Sequence, residues 1–195
     1  MRHPRILAPE NSFLLIVDFQ DTLLRSIHGQ EKLIGNVNLL RNAARILGVP
    51  VVYTLQDPLK LGLLTPTISD PISSAENIVI EKSDFSAWGS PLFRDTVESL
   101  RQRGHSNAVV TGVETHICVA QTAMDLSTND ITVHVAADAC SSNTVENHKL
   151  GMERIRDTGC LPCAAESVVY EWLRTSQSHD FKAILQLVKL NRLSR

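Results

Sequence analysis

Residues 12–18, Ser-Phe-Leu-Leu-Ile-Val-Asp, are apolar almost without a break until Asp18. That is the pattern of a strand buried on both faces of a parallel sheet. From Gln30 to Leu47 the apolar positions Leu33, Ile34, Val37, Leu40, Ala44 and Leu47 fall at helical spacing, and Gly48 stands where a helix stops. Residues 50–55, Pro-Val-Val-Tyr-Thr-Leu, read as a second strand, so the first third of the chain is a βαβ unit. Residues 56–76 break the pattern: Pro58, Pro66, Pro71 and Gly62 interrupt a stretch with little periodicity, which predicts a long loop. Loops of that length in a compact domain more often bind something than merely connect.

The alternation resumes with a short strand at Asn77–Ile80 that leads into Glu81 and Lys82, followed by a turn, Ser83–Gly89, carrying Phe85 and Trp88. Ser90 and Pro91 open a helix through Phe93, Val97 and Leu100 to Arg103, stopped by Gly104. Ala108–Thr111 is a fourth strand and Ile131–Ala137 a fifth, closed by Asp138. Asn143 with Glu146 suggests a capping box for a helix around Met152 and Ile155, ended by Gly159. Leu161–Ala164 is a candidate sixth strand, and helices over 166–173 and roughly 178–190 finish the chain. Strands alternating with helices predict an α/β three-layer αβα sandwich around a six-stranded, mainly parallel, doubly wound sheet. Residues 1–195 read as a single domain.

In such a fold ligands collect beyond the carboxyl ends of the strands. Asp18, Lys82 and the segment Gly112–Cys118 each follow an apolar strand run, so three reactive groups from distant sequence can meet at one sheet edge. Cys118 opens the stretch Cys-Val-Ala-Gln-Thr-Ala-Met-Asp-Leu, whose apolar spacing is helical. A thiol at a helix entrance is expected to favour its thiolate, and the N–H groups there can hold an oxyanion. Taken singly, each group has a plainer reading: Cys118 as a small buried hydrophobe, Asp18 as a cap, Lys82 as a solvated loop charge. Convergence at the strand ends is what favours the catalytic one.

Composition narrows the partners. Hydrophobic residues make up 43% and charged residues 21% of the chain, ordinary for a globular protein, and the net charge of -2 comes with no basic cluster. Nucleic acid and membrane are therefore not expected as partners. The first ten residues lack the apolar stretch of a signal peptide, and four cysteines are too few for a disulfide scaffold, so a cytoplasmic protein is expected. Cys160-Leu161-Pro162-Cys163 has redox spacing but follows a helix stop instead of opening a helix, and offers little for zinc without a nearby histidine. His105, His134 and His148 fall where surface or core histidines are the default, whereas His116, two residues before Cys118, is a candidate for contact with substrate. Phe19, Gln20, Phe85 and Trp88, next to the same strand ends, are candidates for the pocket wall.

Val17-Asp18-Phe19-Gln20, Glu81-Lys82 with Phe85-Ser86-Ala87, Gly112-Val113-Glu114-Thr115-His116-Ile117-Cys118-Val119 and Ala137-Asp138-Ala139 occur in an order and spacing that is specific as a set. Over about Ser12 to Leu190 the chain resembles the isochorismatase-like cysteine hydrolase superfamily, which includes isochorismatases, nicotinamidases and N-carbamoyl amidohydrolases. Its tail, with Ala165–Val169 and His179–Lys182, is most similar to members of undefined substrate. The resemblance implies a triad of Cys118 as nucleophile, Asp18 as base and Lys82 as charge stabiliser. It also implies a cis peptide between Val113 and Glu114, with the Glu114 and Cys118 N–H groups as the oxyanion hole. Where nicotinamidases of that superfamily carry a metal-binding Asp-x-His after the second strand, the segment here reads Gln56-Asp57-Pro58-Leu59, and no histidine lies between His28 and His105. No metal or cofactor is therefore expected, and Asp57 reads as a turn residue, as does Asp138. The implied activity is hydrolysis of a small molecule, an amide or carbamoyl C–N bond ahead of a vinyl ether. A non-catalytic or redox-sensing scaffold is the alternative, and family habit implies a homo-oligomer.

Overall fold

A computed structural model describes residues 3–68 and 77–193. Six strands form one sheet in the order β3-β2-β1-β4-β5-β6, every neighbouring pair parallel. They are β1 (Ser12–Val17), β2 (Val51–Gln56), β3 (Asn77–Lys82), β4 (Asn107–Val113), β5 (Thr132–Ser141) and β6 (Leu161–Cys163). The helices are α1 (Asp21–Leu24), α2 (Gln30–Leu47), α3 (Pro58–Leu61), α4 (Pro91–Gln102), α5 (Ala120–Thr128), α6 (Val145–Asp157), α7 (Ala165–Leu173) and α8 (Phe181–Leu193). Among the described residues no helix is long and apolar enough to cross a membrane.

The unbroken apolar run of β1 is explained by helices on both sides of it. Leu14 and Ile16 pack into the layer with Val37 and Leu40 of α2, Val168 and Trp172 of α7 and Ile184 of α8. Phe13, Leu15 and Val17 face the opposite layer, with Phe93 and Val97 of α4, Ala123 of α5 and Ile155 of α6. Side chains of a strand alternate between faces, so a strand covered twice has no position left for a polar residue until it emerges at Asp18.

Several boundaries differ from the sequence pattern for local reasons. The third strand runs on through Glu81 to Lys82 because it stays paired to β2, with Gln56 opposite Lys82. The fourth runs to Val113, and the fifth runs to Ser141 after its register on β4 shifts between Val110 and Gly112. The resulting irregularity in β5 carries Asp138, whose carboxylate accepts the Ala165 N–H at the start of α7 at 2.7 Å, while its carbonyl accepts Asn36 Nδ2 at 2.6 Å. Thr144, not Asn143, caps α6, accepting the Asn147 N–H at 3.1 Å. Part of the stretch expected to be a loop is ordered as α3 and as a bridge between Gln20 and Leu64; its residues 69–76, with Pro71, lie outside the described residues.

Candidate active site

The strand order reverses its direction of growth between β1 and β4, and the crevice of an open α/β sheet forms at such a switch point. Asp18 follows β1 directly, in a left-handed backbone conformation (φ 51°) that Asp tolerates better than most residues. Beside it, Gly112 of β4 has φ 117°, and a Cβ there would lie 2.1 Å from the Val17 carbonyl oxygen. Only glycine lets the two strands pass this closely, and the passage brings the segment after β4 up to Asp18.

That segment is not the regular helix entrance expected for Cys118. Thr115–Val119 forms one π-helical turn before α5 begins at Ala120, and the Val113–Glu114 peptide is cis. The Ile117 and Val119 N–H groups both donate to the Glu114 carbonyl, at 3.0 and 3.3 Å. From behind, α6 presses on the turn through Gly151, where a Cβ would come within 2.8 Å of His116 Cα. Thr115 and His148 Nδ1 meet at 2.9 Å across the same contact.

Lys82 and Asp18 form an ion pair, Nζ to Oδ2 at 2.7 Å, with no side-chain surface exposed on either partner. The ammonium also donates to Gln56 Oε1 at 2.6 Å and to the carbonyls of Asp84 and Phe85, both at 3.2 Å. An ammonium has three hydrogens, so these four acceptors use all of its capacity. The other carboxylate oxygen, Asp18 Oδ1, accepts the Thr54 hydroxyl at 2.7 Å. Cys118 is almost fully buried, close enough to Asp18 for the carboxylate to act on its thiol. Burial and then the Asp18 charge push the thiol up to about 12, opposed by the Lys82 charge. The resting sulfur is therefore a thiol, which corrects the thiolate expected from the helix entrance: removal from water and a neighbouring anion outweigh the nearby cation.

The pocket-wall candidates divide. Phe19 is completely buried and packs in the α2 layer of the core, so it is scaffold. Gln20 is equally buried and grips β2 and the following loop, its Oε1 accepting the Gln56 N–H at 2.8 Å and its Nε2 donating to the Gln56 and Gly62 carbonyls at 3.1 and 2.6 Å. These bonds turn its polar atoms inward, onto backbone groups. Phe85 is mostly exposed, while Trp88 is half-buried edge-on to Phe93, with ring centroids 6.2 Å apart. Their turn is pinned to α5 by Ser86 to Asp125 and by Ala87 N to Thr122 Oγ1 at 2.9 Å. His116 turns Nδ1 to Ser142 Oγ at 3.0 Å and lies 3.9 Å from Glu114 Oε2. A cleft of about 480 Å³ has Asp57, Lys60, Glu81, Lys82 and Asp84 on its walls, so it adjoins the site through Lys82, while Asp18 and Cys118 do not line it.

Thr54 and Gln56, which touch the carboxylate and the ammonium respectively, were not singled out from the sequence as site residues. The available signal was two polar side chains on an apolar strand, at Thr54 and Gln56. Cys140 and Cys160 are buried and Cys163 partly so, all three as free thiols pushed upward mainly by burial. Among the described residues no group of three or more His, Cys, Asp or Glu side chains is placed to hold a metal ion.

Comparison with known proteins agrees with this architecture. The model of the isochorismatase domain matches residues 12–167. A secreted isochorismatase effector, Isc1, of Phytophthora sojae is 33% identical over 184 residues, covering 94% of this chain and 87% of that protein. Among solved structures, the MAR1 ribonuclease of Caenorhabditis elegans superposes with a TM-score of 0.86 at 28% identity, covering 94% of this chain and 92% of that one. The ycaC gene product of Escherichia coli, described as an octameric hydrolase of unknown specificity, shares the fold with a TM-score of 0.85 at 22% identity, covering 99% and 96%. By the extent of the domain match and of the Phytophthora relative, the chain belongs to the isochorismatase family and carries its hydrolase fold.

Proposed function

We propose that the protein is a metal-independent cysteine hydrolase that cleaves a C–N bond, amide or carbamoyl, in a small molecule. The observation that carries this reading is a buried ion pair, Lys82 Nζ to Asp18 Oδ2 at 2.7 Å, set beside a buried thiol on which both charges act. A buried thiol held at about 12 attacks a carbonyl carbon only if its proton leaves as the new bond forms, and Asp18 is the carboxylate that acts on it.

In the first half-reaction the Cys118 Sγ–C bond forms as the thiol proton passes to Asp18. The carbonyl oxygen gathers the charge, and the Glu114 and Cys118 N–H groups receive it. The C–N bond then breaks as Asp18 returns the proton to the leaving nitrogen. In the second, a water molecule gives a proton to Asp18 and attacks the thioester, the C–S bond breaks, and the sulfur recovers its proton as the acid departs. Lys82 holds the charge of Asp18 in place throughout. Phe85 and Trp88, on the turn after β3, supply pocket wall, and His116 contacts the substrate from the other side of Cys118. No step calls for a metal, and Gln56 turns its amide oxygen to Lys82.

The same proposal takes one hydrolase unit across the chain, acting in the cytoplasm as a homo-oligomer. The octameric description of the E. coli neighbour supports assembly, and light scattering tests it. The P. sojae relative is named as secreted, so cell fractionation tests the compartment. The C. elegans neighbour is named a ribonuclease, whereas the net charge of -2 here disfavours a polyanionic substrate. Turnover of a panel of small amides and carbamoyl compounds, with Cys118→Ala as blank and an RNA and a vinyl ether included, tests the function. Cysteine-dependent release of amine or ammonia from a panel member is expected. No cysteine-dependent turnover of any member would leave a scaffold on a hydrolase fold.

A further inference from the structure

Beyond the triad, β2 presents two polar side chains to it, and neither is accounted for by the reaction as written. Thr54 has no exposed surface and Gln56 is nearly buried, so their polar atoms are there at a cost that must be offset by the bonds they make. Thr54 donates to Asp18 Oδ1 at 2.7 Å while Lys82 donates to Oδ2 at 2.7 Å, one fixed donor to each carboxylate oxygen. Gln56 has its own orientation fixed: Nε2 donates to the Ser83 carbonyl at 2.7 Å, which forces Oε1 toward Lys82. Its backbone is in turn clamped from both sides by Gln20. Hydrogen bonds run without a gap from Gln20 through Gln56 and Lys82 to Asp18, whose charge acts on Cys118.

We propose that Thr54 and Gln56 are positioning residues: the Thr54 hydroxyl and the Gln56 amide hold Asp18 and Lys82 at the angle from which the carboxylate can take the Cys118 proton. The inference rests on the hydrolase reading above and adds to it where the aim of the base comes from. A carboxylate with one anchored oxygen can still swing about its Cβ–Cγ bond. Two donors, one to each oxygen, remove that freedom, and misplacing a reacting group by about 1 Å can cost on the order of a hundredfold in rate.

The test compares Thr54→Val, which keeps the shape and loses the hydroxyl, with Thr54→Ser, which keeps the hydroxyl and loses a methyl group. Buried methyl loss and hydroxyl loss have different consequences, so packing and aim predict opposite orders. The readout is the rate of Cys118 alkylation by iodoacetamide from pH 6 to 10, followed by peptide mass spectrometry, with urea midpoints to confirm folding. The expected result is a Cys118 rate about tenfold or more lower in Thr54→Val and within about threefold of the parent in Thr54→Ser. Gln56→Glu, which sets a second carboxylate on Lys82, is expected to shift the Cys118 alkylation limb to higher pH. Where an amide substrate is found, the same Thr54→Val change is expected to lower kcat with KM nearly unchanged. Equal rates in both Thr54 variants, or a greater loss in Thr54→Ser, overturns the inference. A parent protein whose Cys118 does not react ahead of Cys140, Cys160 and Cys163 removes the hydrolase reading and this inference with it; a reactive Cys118 indifferent to the Thr54 hydroxyl removes this inference alone.

Discussion

Replacing Lys82 by methionine deletes a charge and leaves a stem of similar shape in a place that water does not enter. Among the described residues the ammonium is the only cation bonded to Asp18, and it donates to four acceptors, Asp18 Oδ2, Gln56 Oε1 and the carbonyls of Asp84 and Phe85. With Lys82 gone, the carboxylate keeps only its neutral donors, among them the Thr54 hydroxyl, and three further acceptors lose a donor. Breaking a buried pair by removing one partner costs about 3–5 kcal/mol, most of it the penalty of the stranded charge. The double variant Lys82→Met with Asp18→Asn removes that charge as well, so it is expected to regain about 2 kcal/mol over Lys82→Met alone. Urea unfolding at pH 7 measures both, read as midpoints at constant slope. A loss below about 1 kcal/mol in Lys82→Met would be the figure for an exposed pair, and the argument from a dry, fully engaged ammonium would be refuted.

Two other changes probe the scaffold. His134 on β5 is buried, its Nε2 has no hydrogen-bond partner among the described residues, and burial followed by the Arg5 charge lowers it to about 4. The fold thus binds the neutral ring, and the unfolded chain takes up a proton first; the contribution is complete above pH about 6.5 and is lost as pH falls through about 4, up to about 3 kcal/mol. Urea midpoints for the parent and His134→Leu between pH 4 and 7 should show a shallower acid decline in the variant, and parallel curves would contradict this. Gly112→Ala places a Cβ 2.1 Å from the Val17 carbonyl oxygen at a φ of 117°. It is expected to cost several kcal/mol and to lower Cys118 reactivity by moving β4 from β1, as thermal unfolding and alkylation together would show; a variant as stable as the parent would mean the strands do not need this approach.

The layers of the fold were legible because burial writes itself into the sequence. The unbroken apolar run before Asp18, the helical spacing from Leu33 to Leu47 and Gly48, which adopts φ 69°, each state a local physical need. Asp18, Lys82 and Cys118 were legible as candidates because each is a reactive group directly after or near the end of such a run. Their surroundings were less so. The thiolate expectation failed because a helix entrance is a local feature, while the solvent exclusion that fixes the proton on sulfur comes from the Asp18, Lys82 and core contacts of distant segments. Phe19 and Gln20 were read as pocket wall from adjacency to Asp18, but one step along a strand end is enough to turn a side chain from the crevice into the core. Asn143 lost the cap of α6 to its neighbour Thr144, a one-residue choice that spacing alone does not resolve.

With each of its hydrogens already given away inside the protein, the Lys82 head group has no hand to extend to an incoming molecule. On the hydrolase reading proposed above, it acts on every visitor as a fixed pole, the same for a large guest as for a small one. On that reading selectivity resides in the rim, in the segments that bear Phe85, Trp88 and His116, and a descendant could exchange that rim and change its diet while the electrical centre stayed as it is.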